Sequence, residues 1–117
     1  MKHAVFGADE LGPGEKRRVE IDRRGIVVIK TEAGELYALA DTCPHQGARL
    51  SEGFLTGEFS APSVGASELK RPGEVLRCPW HNFAFDVCTG LSLLEPERYR
   101  VKSYPVSVED GRVLVDV

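Results

Sequence analysis

The chain has 117 residues, 42% hydrophobic and 28% charged, a composition that suits one globular domain spanning 1–117 and excludes intrinsic disorder. Fifteen Lys and Arg against eighteen Asp and Glu leave a net charge of -3, which speaks against a nucleic-acid partner held by bulk charge, and no apolar run nears the roughly 20 residues of a membrane span. The opening residues lack the apolar stretch of a secretory leader, so a cytoplasmic protein is expected, and three cysteines in a reducing compartment favour metal ligation over a disulfide framework.

In chain order, Arg18-Val19-Glu20-Ile21-Asp22 alternates apolar and charged residues with period two, as a half-buried strand does. Arg23-Arg24-Gly25 reads as a turn. The β-branched run Gly25–Thr31 follows with no helical stripe. A second turn at Glu32-Ala33-Gly34 separates it from Glu35–Ala40, a strand that leads into Cys43. Ser60–Gly73, rich in Ser, Pro and Gly, reads as a surface loop without regular pairing. Near the end, Tyr104–Val108 and Arg112–Asp116 flank Asp110-Gly111, a dipeptide suited to a tight hairpin turn. The fold class expected is all-β and antiparallel.

Two clusters carry the chemistry, Cys43-Pro44-His45-Gln46-Gly47 and Cys78-Pro79-Trp80-His81-Asn82. Each supplies one thiol and one imidazole, from loops more than thirty residues apart. The fold must therefore bring matching half-sites together around a centre that takes two sulfurs and two nitrogens. A tetrahedral zinc could use all four ligands. So could a two-iron cluster with the cysteines on one iron and the histidines on the other. Structural zinc usually pairs like residues within each knuckle, whereas each loop here mixes Cys with His, which favours the cluster.

With Phe85-Asp86-Val87-Cys88-Thr89-Gly90 added after the second cluster, the sequence resembles the Rieske [2Fe–2S] proteins. The likeness extends to the approach strand Tyr37–Asp41, to Pro96 and to the closing hairpin. It implies stacked antiparallel sheets, with a cluster-binding subdomain formed by two loops. It further implies that Cys43 and Cys78 hold the buried iron and His45 and His81 the outer one. Backbone N–H groups of Gln46, Gly47 and the residues after His81 would donate to the sulfides. Asp86 and Thr89 would close a turn, with Gly90 at positive φ. In the respiratory branch of the family each loop has an additional cysteine, joined in a disulfide. The matching positions here are Ala48 and Trp80. A sulfide-bonding serine of that branch is replaced by Phe83, and Asn82 stands where glycine is common. Both differences from the respiratory branch point to its low-potential relatives, the dioxygenase ferredoxins.

Other residues read more plainly. Cys88 matches no ligand and is expected to be small packing, and His3 a solvated terminal residue. Arg98, Arg100 and Lys102 form a basic strand face, and Trp80 is either packing or a docking contact. With four ligands assigned, only His3 remains for a mononuclear iron site, and no dinucleotide fingerprint is present. The resemblance therefore implies no catalysis by the chain itself. It implies a one-electron carrier, monomeric in solution, loaded by a flavin-dependent reductase and unloaded by a terminal oxygenase. The alternative is the small subunit of a multi-subunit reductase, such as a nitrite reductase. A third reading is a module in which metal only staples loops.

Overall fold

A computed structural model describes residues 1–43, 48–63, 66–78, 84–93, 97 and 99–117, with 54, 56–63 and 66–74 described by their backbone. Among the described residues, ten strands form three antiparallel sheets. They are β1 (Lys2–Gly7), β2 (Lys16–Ile21), β3 (Arg24–Lys30), β4 (Leu36–Ala40), β5 (Phe54–Ser63), β6 (Ala66–Arg77), β7 (Ala84–Asp86), β8 (Ser103–Tyr104), β9 (Val106–Glu109) and β10 (Arg112–Asp116). The sheet orders are β1-β10-β9, β2-β3-β4-β8 and β5-β6-β7. The described residues contain no α-helix, only two single-turn 3₁₀ segments at Ala8–Glu10 and Leu50–Glu52. The all-β expectation holds.

The uninterrupted run in β3 has a simple cause. Side chains on a strand point alternately to opposite faces. Ile26 and Val28 enter one core with Ala38, Tyr104, Val113 and Val115. Val27 and Ile29 enter another with Leu39, Cys43, Cys78 and Phe85. All four are buried, because the middle sheet is covered on both faces. A solvated face would have required polar residues at every second position.

The turn between β2 and β3 lies one residue earlier than expected. Ile21 pairs with Arg24, and Asp22 and Arg23 carry φ of 50° and 68°. Asp is among the few side chains that tolerate the left-handed region, so this two-residue turn needs no glycine. Gly25 already belongs to β3 and serves another purpose, described below. Gly34 takes φ of 90° in the turn before β4, and Asp110 and Gly111, at 52° and 73°, form the expected hairpin turn between β9 and β10.

Three readings of the sequence need correction. Tyr104–Val108 is not one strand: Tyr104 pairs with Ala38 in the middle sheet, whereas Val106 pairs with Val115 in the sheet containing β1. Pro105, which has no N–H to donate, sits where the chain changes sheets. The segment Ser60–Gly73 is not an unpaired loop either. It belongs to the β5–β6 hairpin, in which Glu58 pairs with Lys70, Ser60 with Glu68 and Ser63 with Ala66. Its register shifts between Thr56 and Glu58, opposite Arg71–Glu74, and again between Ser60 and Ser63. Pro62 and Pro72 fall in those bulged stretches, where a missing donor costs least. Finally, Lys2–Gly7 forms β1, paired along β10, which the sequence reading had not assigned to a strand.

Candidate metal centre

Cys43 follows β4 by three residues, and Cys78 directly follows β6. Both are 1% exposed and neither is in a disulfide. They share one apolar cluster with Leu39, Ala48, Leu50, Leu76, Phe85 and Val87. The fold thus brings the two predicted cysteines to the same wall. His45 and His81 lie outside the described residues, as do Pro44, Gln46, Gly47, Pro79, Trp80, Asn82, Phe83, Pro96 and Arg98. Ala48 is buried.

The segment carrying Cys43 is held by polar bonds. Cys43 N–H donates to the Ala48 carbonyl at 2.8 Å, closing the first loop at its base. Two residues before the cysteine, the Asp41 side chain is fully buried and accepts three bonds. Arg18 Nη1 donates to it at 2.7 Å, and Ser51 donates through both N–H and Oγ–H, each at 2.6 Å. Asp41 N–H in turn donates to the Gly25 carbonyl at 2.9 Å. This contact to Asp41 is the main reason that the Arg18 guanidinium is raised above its already high value. A Cβ on Gly25 would run into that guanidinium, so the glycine provides the space in which Arg18 crosses to Asp41.

The segment carrying Cys78 is held differently. Val75 and Leu76 are buried near the end of β6, and Leu76 pairs with Phe85 on β7. Gly53, at the end of the Leu50–Glu52 turn, lies so close to the Arg77 carbonyl that a Cβ there would overlap it. Phe54 pairs with Arg77 immediately afterwards. Backbone against backbone thus sets the position of the residue preceding Cys78.

The chain leaving the second loop forms the turn expected of Asp86 and Thr89. Cys88 N–H donates to Asp86 Oδ1 at 2.8 Å and Leu91 N–H to Thr89 Oγ1 at 3.2 Å. Gly90 takes φ of 80°, and its open Cα face lies against the Val101 carbonyl, so both conformation and space require glycine. Cys88 is half-buried. Its hydrogen bond with Tyr37 is the first cause of the upward shift of that phenol, with burial second. His3 faces Asp22 at 3.9 Å, on β1.

Two buried thiols on one apolar wall, neither in a disulfide, fit a centre that takes two sulfur ligands. Among the described residues no group of three or more His, Cys, Asp or Glu side chains gathers. The imidazoles expected to complete the donor set belong to 44–47 and 79–83. A Cys₂His₂ two-iron cluster matches this supply of donors, and a Cys₄ cluster does not. Sequence reasoning singled out the cysteines from their neighbours. It missed the partnership of Arg18, Asp41 and Ser51, whose only trace in the sequence is an acid placed directly after an apolar strand.

A ferredoxin component of the 2,4-dinitrotoluene dioxygenase system of Burkholderia sp. (strain RASC) is 36% identical over 107 residues, covering 92% of this chain and 86% of that one. The structure of a complex of reduced oxygenase and oxidised ferredoxin in carbazole 1,9a-dioxygenase matches at 32% identity with a TM-score of 0.74, covering 97% of this chain and 91% of that one. A putative NADH-dependent nitrite reductase small subunit from Mycobacterium tuberculosis has the same fold, at 23% identity and a TM-score of 0.75, covering 98% and 93%. Residues 1–105 match the Rieske [2Fe-2S] domain family. With its paired cysteines at the bases of two loops beside stacked antiparallel sheets, the chain belongs to the Rieske [2Fe-2S] domain family.

Proposed function

We propose that this protein is a one-electron carrier that takes electrons from a flavin-dependent reductase and passes them to the terminal oxygenase of an aromatic-ring-dioxygenase system. The observation that carries this reading is the pair of buried, unbridged cysteines at the bases of two loops, in a chain over a third identical to a dioxygenase ferredoxin component. The whole span 1–117 acts as one unit, since β1 pairs with β10 across the full length of the chain. No helix among the described residues is long and apolar enough to cross a membrane. A monomer in the cytoplasm suits a carrier that must meet two partners in turn.

The site residues divide the work. Cys43 and Cys78 would hold one iron from the buried side, and His45 and His81 the other. When bound, the [2Fe–2S] cluster supplies reversible one-electron exchange. Leu39, Leu76, Phe85 and Val87 wall off the cysteine end from water. Electrons would then pass at the histidine end. The chain itself catalyses no bond-making step.

Electron paramagnetic resonance of the dithionite-reduced protein, followed by protein-film voltammetry, tests the proposal. The expected spectrum is that of a reduced Cys₂His₂ two-iron cluster. The midpoint should fall in the lower third of the range of about -150 to +300 mV open to such centres. Phe83 has no hydroxyl to stabilise the reduced state, and Ala48 and Trp80 form no disulfide. A midpoint near the upper limit would reject the dioxygenase-ferredoxin assignment, and copurification with a large reductase subunit would favour the nitrite-reductase alternative.

A further inference from the structure

Arg18 on β2 and Ser51 in the second 3₁₀ turn converge on Asp41, just past β4, whose fully buried carboxylate lies two residues from Cys43. An isolated buried carboxylate is costly, and only good geometry and several donors offset that cost. Asp41 has both: one guanidinium contact at 2.7 Å and two bonds from Ser51 at 2.6 Å. Every part of the surroundings serves this arrangement. Gly25 leaves room for the guanidinium and also accepts the Asp41 N–H. Glu20, on the exposed side, holds the other arm of Arg18 at 3.0 Å. Ser51 belongs to the 3₁₀ turn that leads to Gly53 and hence to the Arg77 carbonyl. The network therefore anchors the approach to Cys43.

We infer that Asp41 is a positioning residue for the cluster, and that Arg18 is its charge partner, so that the first ligand loop is anchored by ionic bonds without placing net charge beside an anionic centre. A neutral residue at 41 could not hold two Ser51 donors and an arginine equally well. An unpaired carboxylate would disfavour the reduced, more negative state. The Arg18–Asp41 pair anchors the loop and carries no net charge itself, while Glu20 lies beyond it on the exposed side. This inference rests on the reading of Cys43 as a ligand.

The test uses the reconstituted holoprotein and two readouts, the midpoint potential and the rate of cluster loss to a chelator. Arg18→Met leaves Asp41 uncompensated and should lower the midpoint. Asp41→Asn removes the negative charge beside the cluster while Arg18 stays paired with Glu20, and should raise it. Both should speed cluster loss by about 10-fold or more, the usual cost of removing an outer-shell partner. Arg18→Lys, which keeps the charge, should return the midpoint to that of the parent. A structural prop alone would not give shifts of opposite sign. Should Asp41→Asn not load, Arg18→Met and Arg18→Lys decide the matter, because both retain the carboxylate. Shifts of the same sign, unmoved midpoints or unchanged cluster loss in loaded variants would overturn the inference. Parent protein that shows no visible charge-transfer absorption after anaerobic reconstitution would instead reject the cluster site, before any variant is compared.

Discussion

The two half-sites offer the same buried thiol, yet the structure holds them by opposite means. Cys43 follows a strand that has already ended, and its position depends on side chains: Asp41, Arg18 and Ser51. Cys78 is set at the end of a strand still in register with its neighbours, and its position depends on backbone contact and apolar packing, through Gly53, Leu76 and Phe85. Side-chain bonds are directional and can be removed one at a time. Close backbone approach has no such modularity, because any added atom displaces the whole segment.

Removing a ligand should have the largest effect and treat the two half-sites alike. Cys43→Ala and Cys78→Ala should each abolish the visible absorption of the loaded protein, whereas Cys88→Ala should leave it intact. Colour retained in either ligand variant, read by absorption after anaerobic reconstitution, would break the symmetry between the two cysteines.

The second half-site should be the more sensitive to a single methyl group. Gly53→Ala forces a Cβ against the Arg77 carbonyl and should destabilise the fold by about 1–3 kcal/mol, the usual cost of overpacking. Urea unfolding measures it. Its φ of -86° lies in the ordinary extended region, so a full effect reports crowding alone. A variant as stable as the parent would show that backbone approach does not set the second half-site.

Ser51→Ala removes one of three bonds to Asp41 and should cost about 1 kcal/mol, the net worth of a typical hydrogen bond. The consequence should be local, with faster amide exchange at Cys43 and no change at Leu76. Equal acceleration at both would mean that the half-sites are held as one unit.

The smallest effect should lie in the sheet of β1, β9 and β10, away from both cysteines. Glu10 is held below its ordinary value of 4.5 first by the Gly7 N–H, against desolvation, with Arg17 adding a lesser lowering. A carboxyl depressed in the folded state adds stability above that ordinary value and loses it as pH falls through the lower folded value. Glu10→Gln should therefore soften the acid limb of thermal stability below about pH 4.5, by a small amount at an exposed site. The absorption of the centre should be unaffected throughout.

Much of the site was legible because metal ligation restricts residue type. Thiolate and imidazole at short spacing, repeated in two places, have few other uses. The strands read well wherever one period dominated, as in Arg18–Asp22 and Arg112–Asp116. Ser60–Gly73 misled because composition describes local preference, whereas the pairing of Glu58–Ser63 with Ala66–Lys70 depends on two strands meeting and on bulges that accommodate Pro62 and Pro72. The break at Pro105 misled for a related reason, since one apolar segment serves two sheets.

By itself the sequence determined the all-β class, the antiparallel hairpins and the family to which the chain belongs, and it singled out the two cysteines that share one apolar wall. These follow from residue type and spacing, which survive without knowledge of neighbours. Tertiary structure alone decided that Val27 and Ile29 face the site while Ile26 and Val28 face the opposite core, and that Gly25 and Gly53 leave room for a guanidinium and a carbonyl. It also decided that Arg18, twenty-three residues away, compensates Asp41. The physical reason is that packing, close approach and charge pairing are properties of distance in space, and the fold brings together groups that nothing in their local sequence connects.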